Sequence, residues 1–159
     1  MIELWRISSD TSSYLAEDLS GTGAKITGGR WNRKGAPMVY SSRSIALAVL
    51  ETMAHLEAGL LPMNRFLVRI DVPDDVWNMR QVLSHVDAPL GWQAEPAGKV
   101  SLDYGDKWLS DNACALLQVP SVIVPEECNV LINPLHTDAA SIKARKVRQF
   151  QYDARTRGA

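Results

Sequence analysis

Three features are scarce in this sequence, and each scarcity excludes a class of protein. The two cysteines, Cys114 and Cys128, form no CxxC pair and the three histidines are not clustered, so neither a zinc site nor a disulfide framework is indicated. The charges nearly cancel, with 17 Lys and Arg against 18 Asp and Glu, which argues against a general attraction to nucleic acid or an anionic membrane. No apolar run reaches the roughly 18 residues of a membrane span, and Glu3 and Arg6 interrupt the pattern of a signal peptide. We therefore expect a cytoplasmic protein without a membrane contact or a bound metal.

The overall composition is that of one globular domain. With 159 residues, 46% hydrophobic and 22% charged, the chain predicts a single compact domain over residues 1–159. Strand patterns occur in IELWRI, PMVYSS, FLVRIDVP, SVIVP, NVLINP and VRQFQYD. Helix patterns occur in SSYLAEDLS, SIALAVLETMAHLEAG, GDKWLSDNACALLQV and the basic stretch DAASIKARK, while residues 89–104 resemble a loop. Because these elements do not alternate regularly, the sequence favours an α+β fold over a doubly wound sheet.

The segment GGRWNRKGAPMVYSS, residues 28 to 42, has the composition of a ligand-binding loop followed by a strand. Glycines beside Arg30 let the backbone approach a ligand while the guanidinium makes a two-pronged contact with phosphate. The alternative is a solvated arginine beside a tryptophan that covers the core. Tyr40 can stack on a planar heterocycle, or it can be a core tyrosine with a satisfied hydroxyl group. Composition alone leaves both pairs of alternatives open.

Two further polar residues are candidates for a site. Glu51 follows Leu47 by one helical turn and so projects from the mainly apolar side of its helix, where a carboxylate needs a partner or a function. The alternative is a boundary glutamate that reaches water or an arginine. Ser121 begins the predicted strand SVIVP and can present its hydroxyl group at a strand edge. A serine hydrolase is disfavoured because there is no GxSxG motif and no histidine tied to a serine.

These blocks, together with the helix ALAVLE and the segment VPSVIVPEECNVLINPLH, resemble the RES domain, the toxin of Xre-RES toxin–antitoxin modules. The resemblance extends over nearly the whole chain, with a core at about residues 5–150. One departure is Thr137, which follows the histidine where the family has a proline. The resemblance implies a fold like that of ADP-ribosyltransferases, with mixed or antiparallel sheets and flanking helices.

The same resemblance assigns expected roles to four residues. Glu51 and Ser121 are the expected catalytic residues, and Arg30 and Tyr40 are expected to bind NAD+. Cleavage of the nicotinamide–ribose bond passes through an oxocarbenium-like state, and nicotinamide leaves as a neutral molecule, so one carboxylate can be sufficient. Glu51 would stabilise the cation and bind the ribose, while Ser121 would bind the ribose or orient Glu51.

The function implied by the resemblance is a toxin that degrades NAD+ by hydrolysis or phosphorolysis. A cognate Xre-type antitoxin is expected to neutralise it by covering the active site. One alternative is an ADP-ribosyltransferase that modifies a cellular protein, and another is a non-enzymatic module that binds an antitoxin or a nucleotide. NAD+ is then a substrate and not a bound cofactor, and DNA is contacted only through the antitoxin. Oligomerisation within the complex stays open.

Overall fold

The computed structural model describes residues 1–157, so the last two residues of the predicted domain lie outside the described part of the chain. Seven strands are present: β1 (Ile2–Ser8), β2 (Val39–Ser42), β3 (Phe66–Val72), β4 (Gln81–Val82), β5 (Leu116–Pro120), β6 (Cys128–Ile132) and β7 (Lys143–Gln149). Over the same residues there are four α-helices: α1 (Thr22–Thr27), α2 (Ile45–Met53), α3 (Asp74–Asn78) and α4 (Lys99–Asp111). Two short 3-10 turns lie at Thr137–Ser141 and Ala154–Arg157.

The strands form one mixed sheet in the order β4-β5-β6-β2-β1-β3-β7. The β4–β5 pair is parallel and every other neighbouring pair is antiparallel. β1 pairs with β3 along all seven of its residues, but it meets β2 at one position, where Trp5 lies opposite Ser42. The sheet therefore opens between β1 and β2.

The two faces of the sheet have different cores. One face carries a continuous cluster that includes Leu4, Val68 and Val130. The other face carries two separate clusters. Trp31, Trp92, Trp108, Leu117 and Leu131 belong to the first, and Ile7, Ala48, Leu67 and Tyr152 belong to the second. The space between these two clusters lies over the opening of the sheet.

Several predicted elements are confirmed, and their boundaries follow from local chemistry. The strands at IELWRI, PMVYSS, FLVRIDVP and NVLINP correspond to β1, β2, β3 and β6. Ser44 caps α2 by accepting a hydrogen bond from the Leu47 amide at 3.1 Å, as predicted. The helix ends at Met53 and not at Gly59, with exposed turns between them.

Other predicted elements are wrong. SSYLAEDLS forms turns, because the Thr11 and Asp10 side chains bind the backbone of this segment and replace helical hydrogen bonds. α4 begins at Lys99, inside the predicted loop, and ends at Asp111. The ALLQV segment is not helical but forms β5, since an almost continuous apolar run suits a buried strand equally well. SVIVP is a loop.

The C-terminal segment also differs from the prediction. The basic stretch DAASIKARK was predicted to be helix-like, but it forms a 3-10 turn followed by β7. β7 ends at Gln149, so only the first part of VRQFQYD is a strand. Lys143–Gln149 pairs with the free edge of β3, with a register shift between Leu67 and Val68, and this pairing outweighs helical propensity. None of the helices in residues 1–157 has the length and hydropathy that a membrane crossing requires.

Candidate active site

A cleft of about 940 Å³ lies over the opening of the sheet, between the two clusters. Its volume falls in the range of small-molecule binding sites. Arg30, Tyr40, Glu51 and Asn129 line it. Three of the four side chains predicted for the site thus share one cleft, and the fourth, Ser121, lies directly behind Glu51.

Glu51 reaches the cleft from α2. Ala48, one turn earlier, is buried against the sheet in the cluster with Ile7, and this contact fixes the rotation of the helix. The Oε1 atom of Glu51 accepts a hydrogen bond from Ser121 Oγ at 2.6 Å and another from Asn129 Nδ2 at 2.7 Å. Hydrogen bonds to a carboxylate are short and strong. The carboxylate is therefore held in place by two donors on one oxygen.

Ser121 is completely buried and occupied by protein contacts. Its hydroxyl group donates to Glu51 and accepts from the amides of Ile123 and Val124 at 3.2 and 3.1 Å. These two amides turn the chain after β5, which is why SVIVP forms a loop. The described contacts of this hydroxyl group are thus with Glu51 and two backbone amides, and Ser121 is not among the residues that line the cleft.

Tyr40 has the satisfied hydroxyl group of the second alternative, and it also lines the cleft. Its hydroxyl group donates to Asn32 Oδ1 at 2.6 Å and accepts from the Trp31 amide at 3.0 Å, so the hydroxyl group holds the loop. Burial raises the pKa of the Tyr40 hydroxyl group well above its ordinary value. The residue nevertheless contributes to the cleft wall. Gly29 lies against it, and a Cβ atom there would be 2.6 Å from the Tyr40 oxygen.

Arg30 is tethered to the segment that precedes α4. Its Nη1 atom donates to the carbonyl groups of Trp92 and Ala94 at 3.0 and 2.7 Å, and Nη2 donates to Glu95 Oε2 at 2.6 Å. The arginine side chain is 16% exposed and that of Glu95 is 73% exposed. Trp92 stacks on Trp31 with ring centroids 6.2 Å apart, which fixes this segment over the loop. An oxyanion that binds Nη2 of Arg30 from the same side competes with the Glu95 carboxylate.

Two residues of this site were not predicted from the sequence. Asn129 contacts Glu51 directly, and Ser42 donates to Asn129 Oδ1 at 2.6 Å. The only sequence signal was alternation in NVLINP, which places Asn129 on the same strand face as Leu131.

His55, expected on the helix surface, is exposed and also lines the cleft. Within residues 1–157 no group of three or more His, Cys, Asp and Glu side chains is arranged to hold a metal ion.

Four basic residues, Lys143, Arg145, Lys146 and Arg148, lie on the edge strand β7, which β1 and β3 separate from β2 and β6. Lys146 is held there by Asp10, at 2.8 Å, and by Glu17, at 3.6 Å. Lys143, Arg145 and Arg148 are exposed. Charged residues on an edge strand discourage pairing with another chain.

Comparison with known proteins gives consistent matches. The model of the RES domain matches residues 3–154. A protein from Sphingobium sp. named Prs ADP-ribosylating toxin is 58% identical over 151 residues, which cover 95% of this chain and 94% of that protein. A protein from Pseudomonas putida named Toxin Res is 39% identical over 157 residues, which cover 96% of this chain and 97% of that protein.

Among solved structures, a chain in the crystal structure of the M. tuberculosis MbcT-MbcA toxin-antitoxin complex matches with a TM-score of 0.62. The match covers 92% of this chain and 84% of that chain at 16% sequence identity. At this identity the likeness concerns the fold alone. It confirms the predicted α+β fold of a single domain.

Proposed function

This chain belongs to the RES domain family, and from the geometry of its cleft we propose that it cleaves the nicotinamide–ribose bond of NAD+. It is a toxin of a toxin–antitoxin system. The observation that supports the proposed chemistry is the Glu51 carboxylate, whose Oε1 atom is fixed by two donors at 2.6 and 2.7 Å in a cleft that Arg30 also lines.

The chemistry needs negative charge near the anomeric carbon and a hold on the substrate. Nicotinamide is a cationic pyridinium before the bond breaks and neutral afterwards, so its departure requires no general acid. Positive charge develops on the ribose instead, and a preorganised carboxylate stabilises it without having to reorganise. Glu51 supplies this charge and accepts a hydrogen bond from a ribose hydroxyl group.

The other residues have supporting roles. Arg30 binds the pyrophosphate after the phosphate oxygens displace Glu95. Tyr40 lines the cleft where the nicotinamide ring binds and limits its orientation. Ser121 orients Glu51 from behind. NAD+ is the substrate, and the proposal requires no metal or bound cofactor.

Transfer of ADP-ribose to a protein is a second candidate. It is favoured by the 58% identity to a protein whose name describes it as an ADP-ribosylating toxin. Both reactions break the same bond, and they differ in whether water, phosphate or a protein side chain attacks the anomeric carbon.

An antitoxin is the partner that this assignment requires. A Xre-type antitoxin that covers the cleft would neutralise the toxin simply by blocking the entry of NAD+. Any contact with DNA would then be made by the antitoxin, because the net charge of this chain is only -1.

The test is the concentration of NAD+ over time with the purified protein, with and without inorganic phosphate, beside Glu51→Gln. Loss of NAD+ that depends on Glu51 supports the proposal, and the effect of phosphate identifies the acceptor. If NAD+ persists but labelled NAD+ modifies a protein in a cell lysate, the second candidate is correct. If the folded protein causes no loss of NAD+ and no labelling of a protein, both candidate functions are refuted.

A further inference from the structure

We propose that Asn129 is a positioning residue for Glu51 and that Ser42 holds the Asn129 side-chain amide in place. This inference rests on the proposed function, because the group that it positions is the carboxylate at the centre of that chemistry. It assigns a role to two residues that neither the loop and helix patterns nor the resemblance singled out.

Strand pairing places these side chains beneath Glu51. Ser42 on β2 and Asn129 on β6 are direct partners in the antiparallel register, so their side chains leave the same face of the sheet side by side. Ser121 follows β5, the other neighbour of β6, and its amide donates to the carbonyl group of Glu127 at 2.9 Å, which continues the pairing. Ser121 and Asn129 therefore reach Glu51 from neighbouring positions of the sheet, and Ser42 lies beside Asn129 on the next strand.

The chemistry of the partners fixes which end of the amide faces Glu51. An ionised carboxylate only accepts hydrogen bonds, so the NH₂ group must face it. The hydroxyl group of Ser42, a residue that is 3% exposed, donates to the amide oxygen at 2.6 Å. If the amide were flipped, its oxygen would face the Glu51 oxygen, and two acceptors would meet at hydrogen-bonding distance. The Glu51 carboxylate therefore selects the orientation of the amide, and the Ser42 hydroxyl group, which can either donate or accept, holds the other end of the amide.

The two oxygen atoms of the Glu51 carboxylate therefore have different roles. Oε1 receives both hydrogen bonds, from Ser121 and Asn129. Oε2 receives none from residues 1–157, so it is left for the substrate. Rotation of the carboxylate would break both bonds at once. A single donor on Oε1 would still allow the carboxylate to swing about that bond, whereas two donors fix its plane. Asn129 is thus needed for orientation even when Ser121 is present.

The test compares four variants: Asn129→Ala, Asn129→Asp, Ser42→Ala and, as the matched control, Asn133→Ala. Asn133 is the buried asparagine just beyond the opposite end of β6, and its amide donates to Asn112 Oδ1 at 2.8 Å. The readouts are kcat and KM for NAD+, the melting temperature, and growth arrest on expression without an antitoxin. Growth arrest reports on the site whatever its substrate is.

Asn129→Ala is expected to lower kcat by about 10- to 100-fold, the usual effect of one lost hydrogen bond to a charged group. KM should change by less than about threefold, because the substrate contacts stay in place. Ser42→Ala should lower kcat by less than Asn129→Ala, since the amide keeps its bond to Glu51 for part of the time. Asn133→Ala should lower the melting temperature but leave kcat and growth arrest unchanged.

Asn129→Asp separates positioning from packing because it keeps the shape of the side chain. When both carboxylates are ionised they repel each other, and activity should fall at least as far as in Asn129→Ala. As the pH falls, two neighbouring carboxylates take up a shared proton, which restores a donor between them. The activity of Asn129→Asp relative to the wild type should therefore rise as the pH is lowered, and that of Asn129→Ala should not.

Folded Asn129 variants with the kcat, pH profile and growth arrest of the wild type would overturn the inference. So would an equal loss of kcat in Asn133→Ala, because the effect would then come from general destabilisation. If the wild-type protein arrests growth without consuming NAD+ or labelling a protein, the proposed function fails. The inference is then still supported or refuted by whether Asn129→Ala, unlike Asn133→Ala, relieves the growth arrest.

Discussion

Replacing Glu51 by glutamine removes one negative charge while preserving the shape of the site. In the wild type, Ser121 and Asn129 donate to Oε1 at 2.6 and 2.7 Å. Glutamine keeps a side-chain oxygen that can accept both hydrogen bonds. Both hydrogen bonds lose their charge assistance, and the free energy of unfolding should fall by about 1 to 2 kcal/mol. The variant should therefore fold.

The effect on the reaction is expected to be much larger. A unit charge about 4 Å from a developing cation contributes about 4 kcal/mol at an effective dielectric constant of about 20. Since about 1.4 kcal/mol corresponds to a factor of ten, kcat should fall by about a thousandfold. KM should change by only a few-fold, because the charge of Glu51 acts mainly on the transition state.

The assay is release of nicotinamide from NAD+ under saturating and subsaturating conditions, with circular dichroism and thermal melting to verify folding. Glu51→Asp is the companion variant. It keeps the charge but retracts it by about 1.5 Å, one carbon–carbon bond, so its activity should lie between those of the wild type and Glu51→Gln. A folded Glu51→Gln variant with a kcat within tenfold of the wild type would refute an electrostatic role for Glu51.

Three further substitutions probe the rest of the cleft. Ser121→Ala should lower kcat by about 10- to 100-fold with little change in KM. In urea, its free energy of unfolding should be about 2 kcal/mol lower, because two backbone amides lose their acceptor. A large rise in KM would instead indicate a ribose contact. Glu95→Gln should lower the KM for NAD+ measurably, but by no more than about fivefold, since an exposed ion pair contributes no more than about 1 kcal/mol. An unchanged KM would mean that phosphate does not compete with Glu95 for Arg30. Gly29→Ala should raise KM and lower the melting temperature, because its Cβ atom would meet the Tyr40 hydroxyl group at 2.6 Å. Gly98→Ala is the control: its Cβ atom would be 3.6 Å from its nearest neighbour, so its melting temperature should be close to that of the wild type.

The elements that were predicted correctly are those whose signals are local. Ser44 and the apolar residues that follow it define the start of α2, and alternation defines β1 and β3. β5 was missed because an apolar run suits a helix and a buried strand equally well, and only its position between β4 and β6 decides. The loop after β5 depends on the hydroxyl group of Ser121, whose bonds to nearby amides replace strand pairing.

The candidate residues of the site could be identified one by one, but their contacts could not. Glu51 bonds to residues 70 and 78 positions away, and Arg30 bonds to carbonyl groups 62 and 64 positions away. Such contacts are set by strand order and register, which no local pattern encodes. Asn129 shows this most clearly, since its role depends on lying opposite Ser42.

Glu51 and Arg30, which mark the two ends of the cleft, are held in physically different ways. Substitutions at the two ends are therefore expected to affect catalysis differently. Glu51 is held by Ser121 and Asn129, which the sheet itself fixes, so the carboxylate is rigid before the substrate binds. Arg30 is held by two carbonyl groups of a loop and by the Glu95 carboxylate, which is 73% exposed and readily displaced. Binding of a phosphate can then exchange one oxyanion for another at Arg30 without disturbing Glu51. Substitutions that act on Glu51 should therefore change kcat, and those that act on Arg30 should change KM. A variant at either end that changed the opposite parameter would show that the two ends are mechanically coupled.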